Sequence, residues 1–522
     1  MKKIEKSGKK IIASVGLTTS ILASSVCPIF AVAQNTAGSS YKDIVVYDTT
    51  APKELQTIEK PEVKVGVISD SHISSYYLGS GSEFHGDTVN KLKLALKFYQ
   101  RQKVDLLLLT GDIVDLAEEA DYQLLKQTFS EVYGSKENAP TIVYTFGNHE
   151  FAIFKRDENG AITGTEGLGW EKSFERHKQY MQSWLDYEIW NGQTGENSSG
   201  DRINLIECNG VYVINYNENT WFRSEDLARL DALLAEATSK TDKPVLVSFH
   251  YAFGSDLYGI PNSMWLDGSS YEQKLTAVLE KYPQAVVLLG HQHASALHGR
   301  SISQSLGFTS LLSGSSNTMA VHDMITGVTD ITDKTSPRYA NYYSYKESIL
   351  GTNGQQIVQR HNVGYSGLLL TFADGKMTSN VVDFKKNIII DDVNVFEIPY
   401  GITLENKDEK FAYTVDKLKA EQEELTFETD ASVSLSVKNK QLVVNFPSVM
   451  QYNDCEGYKI QLEKAGEETK VVYWQSNFMF YPTELVEYQV CVNDIESVDG
   501  WSVSVSPIDF YGQIGDAITN EA

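Results

Sequence analysis

Five times along this chain a short, almost wholly apolar run ends abruptly in a small cluster of aspartate, histidine, asparagine and glycine. VKVGVI leads into Ser69-Asp70-Ser71-His72, and DLLLLT into Gly111-Asp112-Ile113-Val114-Asp115. TIVYTF leads into Gly147-Asn148-His149-Glu150, VLVSF into His250, and AVVLL into Gly290-His291-Gln292-His293. Runs rich in leucine and β-branched residues, with no polar alternation, suit strands covered on both faces. Strands are therefore expected at 63–69, 105–110, 141–146, 211–216, 245–248 and 285–289. In an open α/β sheet, side chains from distant segments converge at the carboxyl ends of the strands, so chemistry is expected at these clusters.

Between the runs, helical spacing appears. Val89, Leu92, Leu96 and Tyr99 follow the capping candidate Asp87, and Leu227, Leu230 and Leu234 follow Ser224. Ser270 with Gln273 resembles a capping box ahead of Leu275, Val278 and Leu279. Strands alternating with helices predict an α/β layered domain. Two stretches break the rhythm: 151–201, polar and dotted with Trp170, Trp184 and Trp190, and about 321–364, rich in Tyr, Ser, Thr and Asn. Each reads as a binding or lid insertion or as surface decoration. From about 391 the texture becomes short strands separated by turn residues, at 433–437, 441–446, 458–463, 470–474, 489–492 and 501–506. That pattern predicts a C-terminal β-sandwich, similar to a fibronectin type III module.

The N-terminus is expected to be a leader. Lys2, Lys3, Lys6, Lys9 and Lys10 precede the apolar run IIASVGLTTSILASSV, and Ala31-Val32-Ala33 offers a small-residue cleavage site. An uncleaved anchor is the alternative, but Thr18, Thr19, Ser20 and Pro28 make a poor spanning helix. Val26 before Cys27 argues against a lipoprotein. The expected division is a signal peptide at 1–33, a lead-in at 34–61, a catalytic domain at 62–390, a linker at 391–426 and the sandwich at 427–522.

The full chain carries a formal net charge of −24, and loss of the leader's lysines makes it more negative. A surface so acidic argues against non-specific nucleic-acid binding. The remaining cysteines, Cys208, Cys455 and Cys491, are no disulfide scaffold. Export permits pairing of Cys455 with Cys491 without requiring it, and Cys208, in an apolar stretch, is expected to be a buried free thiol.

The five clusters form a set of metal ligands: carboxylates, imidazoles and one amide oxygen. They hold five of the chain's ten histidines; the others, His85, His177, His298, His322 and His361, lack such context and are expected at the surface or in packing. Mixed nitrogen and oxygen donors suit Zn, Mn or Fe, and the absence of a thiolate rules out a structural zinc finger. One D-x-H or H-x-H pair is nearly uninformative; all five clusters in this order, each behind a buried strand, are not.

The series DSH, GDIVD, GNHE, a lone strand-end His and GHQH resembles the calcineurin-like metallophosphoesterase superfamily, over about residues 62–384. The resemblance implies a four-layer αββα sandwich with two divalent metals between the sheet edges. It implies that Asp70, His72, Asp112 and His293 hold the first ion. Asp112 would bridge to the second, completed by Asn148, His250 and His291. His149 would stand beside the substrate phosphate as the catalytic residue, donating to the leaving alkoxide or neutralising charge on the phosphate, and Asp115 and Glu150 would support the site by hydrogen bonds. A bridging hydroxide would then attack phosphorus in line.

Asp115 stands where purple acid phosphatases carry tyrosine, which argues against a tyrosinate–iron site. The C-terminal part differs from the large nucleotide-binding domain of the 5′-nucleotidases. The expected function is an exported phosphoesterase acting on a small phosphate ester, with cell-surface contact through the C-terminal module. Two alternatives stay open: a nucleotidase or cyclic-nucleotide phosphodiesterase with an aromatic base clamp from the Trp170–Trp190 stretch, and a non-catalytic surface binding protein. Tyr251, Ala252 and Phe253, after His250, either wall the leaving group or pack beneath the loop, with packing favoured.

Overall fold

The computed structural model describes residues 63–78, 87–189, 203–217, 224–251, 270–317, 365–438, 441–476, 478, 487–492 and 495–520. The expected leader, the lead-in, the 321–364 insertion, Trp190, Ala252, Phe253, His85, His322 and His361 lie outside these residues.

The apolar runs become strands because each can bury both of its faces. In the first sheet, β1 (Val63–Ile68), β2 (Leu106–Thr110) and β3 (Thr141–Thr145) are parallel, with Val65 opposite Leu106 and Leu106 opposite Thr141. β12 (Ser366–Ala373) adds antiparallel to β1, and β13 (Lys376–Asp383), β14 (Ile388–Ile389) and β15 (Phe396–Pro399) complete that sheet. The second sheet runs in the order β10 (Ile302–Ser303), β11 (Thr309–Leu312), β9 (Ala285–Leu289), β8 (Val245–Ser248), β7 (Val211–Tyr216), β6 (Ile203–Cys208). Its four middle strands are parallel.

Side chains alternate between two cores. Leu106 and Leu108 point between the sheets, meeting Val65, Val213, Leu246 and Val286. Leu107 and Leu109 point outward to Leu92 and Leu96 of α1 (Thr88–Gln102) and to Leu125 and Phe129 of α2 (Glu119–Tyr133). On the other side Val245, Val247 and Val287 meet Leu230 and Leu234 of α4 (Ser224–Thr238) and Leu275 and Leu279 of α5 (Ser270–Leu279). Helices, sheet, sheet, helices: four layers. Each fully buried leucine contributes about 1.5–3 kcal/mol relative to exposure.

Several local expectations need correction. Asp87 makes no side-chain cap on α1; its carboxylate accepts from the Asn90 amide instead. The stretch 151–201 is not merely a loop. It holds a hairpin, β4 (Ala152–Arg156) with β5 (Ile162–Gly167), then α3 (Trp170–Met181). Trp170, half-buried, packs against Phe174, whereas Trp184 is buried against Phe129 and so offers no face to a base.

Residues 391–426, expected as a linker, are folded onto the catalytic layers. β15 pairs with β13, Ile402 and Phe411 are buried in the inter-sheet core, and Gln304 and Tyr413 exchange two hydrogen bonds of 2.9 Å. Two short helices, α6 (Lys407–Lys410) and α7 (Val415–Glu421), complete the segment.

The C-terminal region is all-β. One sheet comprises β16 (Ser434–Lys438), β17 (Gln441–Pro447) and β20 (Glu487–Val492). The other comprises β19 (Lys470–Gln475), β18 (Cys455–Lys464), β21 (Trp501–Asp509) and β22 (Ile518–Asn520). The two enclose Val444, Phe446, Tyr458, Ile460, Val490 and Val505. Cys455 is buried and unpaired, and the Cys491 side chain lies outside the described residues. Cys208 is free but only half-buried, at the rim of β6, rather than fully enclosed.

Candidate metal centre

Five of the expected metal ligands have left-handed backbone: Asp70 (φ 52°), His72 (45°), Asp112 (51°), His291 (68°) and His293 (50°). Non-glycine residues rarely adopt this region, and clusters of them mark sites where the surrounding structure enforces a geometry. Here the chain leaves β1, β2 and β9 and turns sharply, aiming these side chains together. Glycines before Asp112, Asn148 and His291 clear the space. A Cβ on Gly147 would lie 2.2 Å from Asp112 Oδ1 and 2.6 Å from His250 Nε2. One on Gly290 would lie 2.2 Å from Ser69 Oγ.

The donors form three overlapping groups: Asp70, His72 and His293; His72, Asp112 and His149; Asp112, His250 and His291, each with its ligand atoms within 4.8 Å of one another. His72 Nε2 is 2.9 Å from His293 Nε2, and His293 Nε2 is 3.4 Å from Asp70 Oδ1. Asp112 Oδ2 lies 3.1 Å from His250 Nε2 and 3.9 Å from both His72 Nε2 and His149 Nε2. Asp112 thus stands in two of the groups, between the other donors. His149 enters one group as well, although the resemblance implies a place beside the phosphate.

Backbone contacts set the imidazoles. His250 Nδ1 donates to the Thr110 carbonyl at 2.9 Å, which turns Nε2 toward Asp112. His149 Nδ1 donates to the Asp115 carbonyl, and its backbone N–H donates to Asp112 Oδ1 at 2.9 Å. Asp115 Oδ1 lies 3.4 Å from His72 Nδ1. Glu150 is buried beneath the site, where its carboxylate accepts from the N–H groups of Asp112 (3.0 Å), Ile113 (2.8 Å) and Gly147 (2.7 Å) and from the Tyr144 hydroxyl (2.9 Å). One side chain therefore clamps two strand-end loops. Tyr251 is buried against Phe249, His250 and His291, in packing.

The residues present fit a pair of cations. Asn148 Oδ1 and both nitrogens of His291 are buried without a hydrogen-bond partner. Such groups are costly unless something accepts their lone pairs. Burial and Asp112 push the Asp70 carboxyl up to about 6, against His250 and His72. Burial would raise Asp112 too, but the charges of His250, His149 and His72 hold it well below the usual carboxylate range. Burial and His250 hold His291 well below the ordinary imidazole value, leaving it a neutral donor. Burial pulls His149 down, but the Asp112 and Asp115 carboxylates outweigh it and raise it.

Residues 63–295 match the family model for the calcineurin-like phosphoesterases. This chain carries a calcineurin-like phosphoesterase domain. Its binuclear donor set is that of a metal-dependent phosphoester hydrolase. No curated protein matches the chain. Among solved structures, a dimetal phosphatase from Danio rerio is similar at 12% identity and a TM-score of 0.34, over 65% of this chain and 100% of that one. A conserved uncharacterised protein from Streptococcus pneumoniae, described as a predicted phosphoesterase, is similar at 11% identity and a TM-score of 0.23, over 64% of this chain and 97% of that one.

The phosphoesterase domain has a sixth strand-end segment that the sequence reading missed. After β11, Ser316 donates its N–H to the Ser69 carbonyl (3.0 Å), and its hydroxyl meets that of Ser71 (2.8 Å). The signal was the same apolar-run-then-glycine pattern, TSLL into Ser313-Gly314-Ser315-Ser316, but without an imidazole or carboxylate to single it out.

Proposed function

We propose that this chain is an exported enzyme hydrolysing phosphate mono- or diesters of small molecules at the centre around Asp112. What carries the reading is that Asp112 is shared by two donor groups, and that Asn148 Oδ1 and both nitrogens of His291 are buried without a hydrogen-bond partner. On this reading Asp70, His72, Asp112 and His293 hold one ion, and Asp112, Asn148, His250 and His291 the other. When bound, two divalent ions (Mn, Zn or Fe) supply positive charge for the phosphate oxygens and lower the pKa of an attacking water.

The protein's own residues orient and move protons. Asp115 and the Thr110 carbonyl hold the His72 and His250 rings by Nδ1, which leaves each Nε2 for coordination. His149, anchored through Nδ1 to the Asp115 carbonyl, presents Nε2 to a phosphate oxygen or the departing alkoxide. Glu150 keeps the Asp112 and Asn148 loops in register.

The test is hydrolysis of para-nitrophenyl phosphate and its bis ester by protein stripped of metal and reloaded with Mn, Zn or Fe, beside D112N. Metal-dependent turnover, abolished in D112N, is expected, and the ratio of the two esters reports monoester against diester. A folded protein that binds no metal would falsify the reading. For export, the basic and apolar run at 1–33 is the support. Protein recovered from the medium should begin at Gln34 by peptide mass, and a retained Met1 sinks that part.

A further inference from the structure

The three strand-end loops of the first sheet continue past their donors into a common rim. After His72 the chain runs Ile73-Ser74-Ser75-Tyr76-Tyr77-Leu78. It is tied to the Asp112 loop where Ile73 bridges Val114, and to the first turn of α2 where Ser75 donates from its N–H and its hydroxyl to Asp121, each at 2.6 Å. After His149 comes β4, tied to the same loop by the Ala117 N–H to the Ala152 carbonyl (2.7 Å). Glu118 adds a second tie, accepting from the Phe154 N–H and from Arg156, each at 2.9 Å.

These ties set Tyr76 and Phe154 side by side, ring centroids 5.0 Å apart and tilted 54°, with Tyr77 edge-on to Tyr76 at 4.9 Å. Tyr76 is 56% exposed. Tyr76 and Phe154 lie on the segments that lead from His72 and His149 away from the donor cluster. The Tyr77 phenol, beside Tyr76 in sequence, is held above its ordinary value by burial and then by the Asp115 carboxylate that faces both histidines. The rim therefore begins where the donor cluster ends. Arg156, over one side of the Phe154 ring at 5.6 Å, is already matched by Glu118, so it adds no unmatched charge to the patch. Tilted and offset ring contacts are the arrangement aromatic quadrupoles favour.

We propose that Tyr76 and Phe154 form a platform that selects phosphate esters whose leaving group is a planar aromatic ring. This rests on the phosphoesterase reading, because only a group attached to a phosphate at the Asp112 centre is carried to this rim. The experiment compares binding of phenylphosphonate and methylphosphonate to the metal-loaded full chain by calorimetry. Wild type, Y76A/F154A and the conservative Y76F are measured, with turnover of para-nitrophenyl phosphate followed in parallel. Wild type should prefer the phenyl compound by roughly tenfold; the double variant should lose that preference, and Y76F should keep it. No phenyl preference in wild type, or one undiminished in Y76A/F154A, overturns the platform. Absence of turnover by wild type overturns the phosphoesterase reading separately, and the leaving-group assignment with it.

Discussion

Glu150 works entirely through other groups. Its carboxylate takes backbone N–H groups from the Asp112 loop and from Gly147 together with the Tyr144 hydroxyl, so E150Q turns one accepting oxygen into a donor aimed at donors. We expect kcat/KM or metal affinity to fall roughly 10–100-fold, read by turnover against metal concentration. Asp121 gives a pH prediction. Burial, with help from Asp115 and Glu118 and against the Ser75 hydrogen bonds, raises it from 3.8 to about 7. A carboxyl raised on folding contributes its stability below the unfolded value and loses it as pH rises through the folded one. Between 3.8 and about 7, therefore, wild type should lose thermal stability relative to D121N, which keeps the Oδ1 acceptor; a constant difference in Tm across that window sinks the idea. The donor residues were legible in the sequence because few side chains bind borderline metals, and those few stood together. Ser315 and Ser316 were not, since hydroxyls occur in every loop.

The elements teach a related lesson. The strands around the site could be read almost to the residue because a run buried on both faces has little choice but to be apolar throughout. α2 was missed although Tyr122, Leu125, Phe129 and Tyr133 recur at helical spacing; the charged residues among them and the absent side-chain cap hid its start. The hairpin β4–β5 was illegible because its residues are largely exposed and carry no apolar alternation. The turns between strand and donor are the least tolerant parts of these elements. G147A would press a methyl group into Asp112 Oδ1 and His250 Nε2, and displacing either by about 1 Å should cost on the order of 100-fold in kcat/KM. Kinetics on folded, metal-loaded G147A checks this. The leucines of β2 add a subtlety. A slip by one residue exchanges leucine for leucine on both faces, so the ends of the strand must fix its register. Asp105 does so by accepting the Lys64 N–H at 2.9 Å, and Gly111 by accepting the Asp70 N–H at 3.0 Å.

Across the whole molecule, the catalytic layers and the C-terminal sandwich meet at a buried polar pair. His298 Nδ1 accepts the Arg300 N–H at 3.0 Å, so the neutral ring carries its proton on Nε2, 3.4 Å from Glu456 Oε1. Phe478 and Phe510 pack against the ring, and Gly299 has no room for a Cβ beside Phe510. Burial holds the Glu456 carboxyl well above its ordinary value, so H298A removes a hydrogen-bond donor and opens a cavity, and should cost about 2–5 kcal/mol, measured by the shift of the denaturant midpoint. The sequence showed that two kinds of region exist, but not how they join, because a buried histidine and glutamate far apart in the chain look like any surface pair. The segment that joins them has a historical consequence. Since β15 is a strand of the catalytic sheet, and Ile402 and Phe411 belong to its inner core, a recombination breakpoint near residue 390 would tear the host. A gene that gained or shed the sandwich could have kept the inner core of the catalytic layers whole only if cut beyond Tyr413, so the inheritable unit of this enzyme is longer than its catalytic motifs suggest.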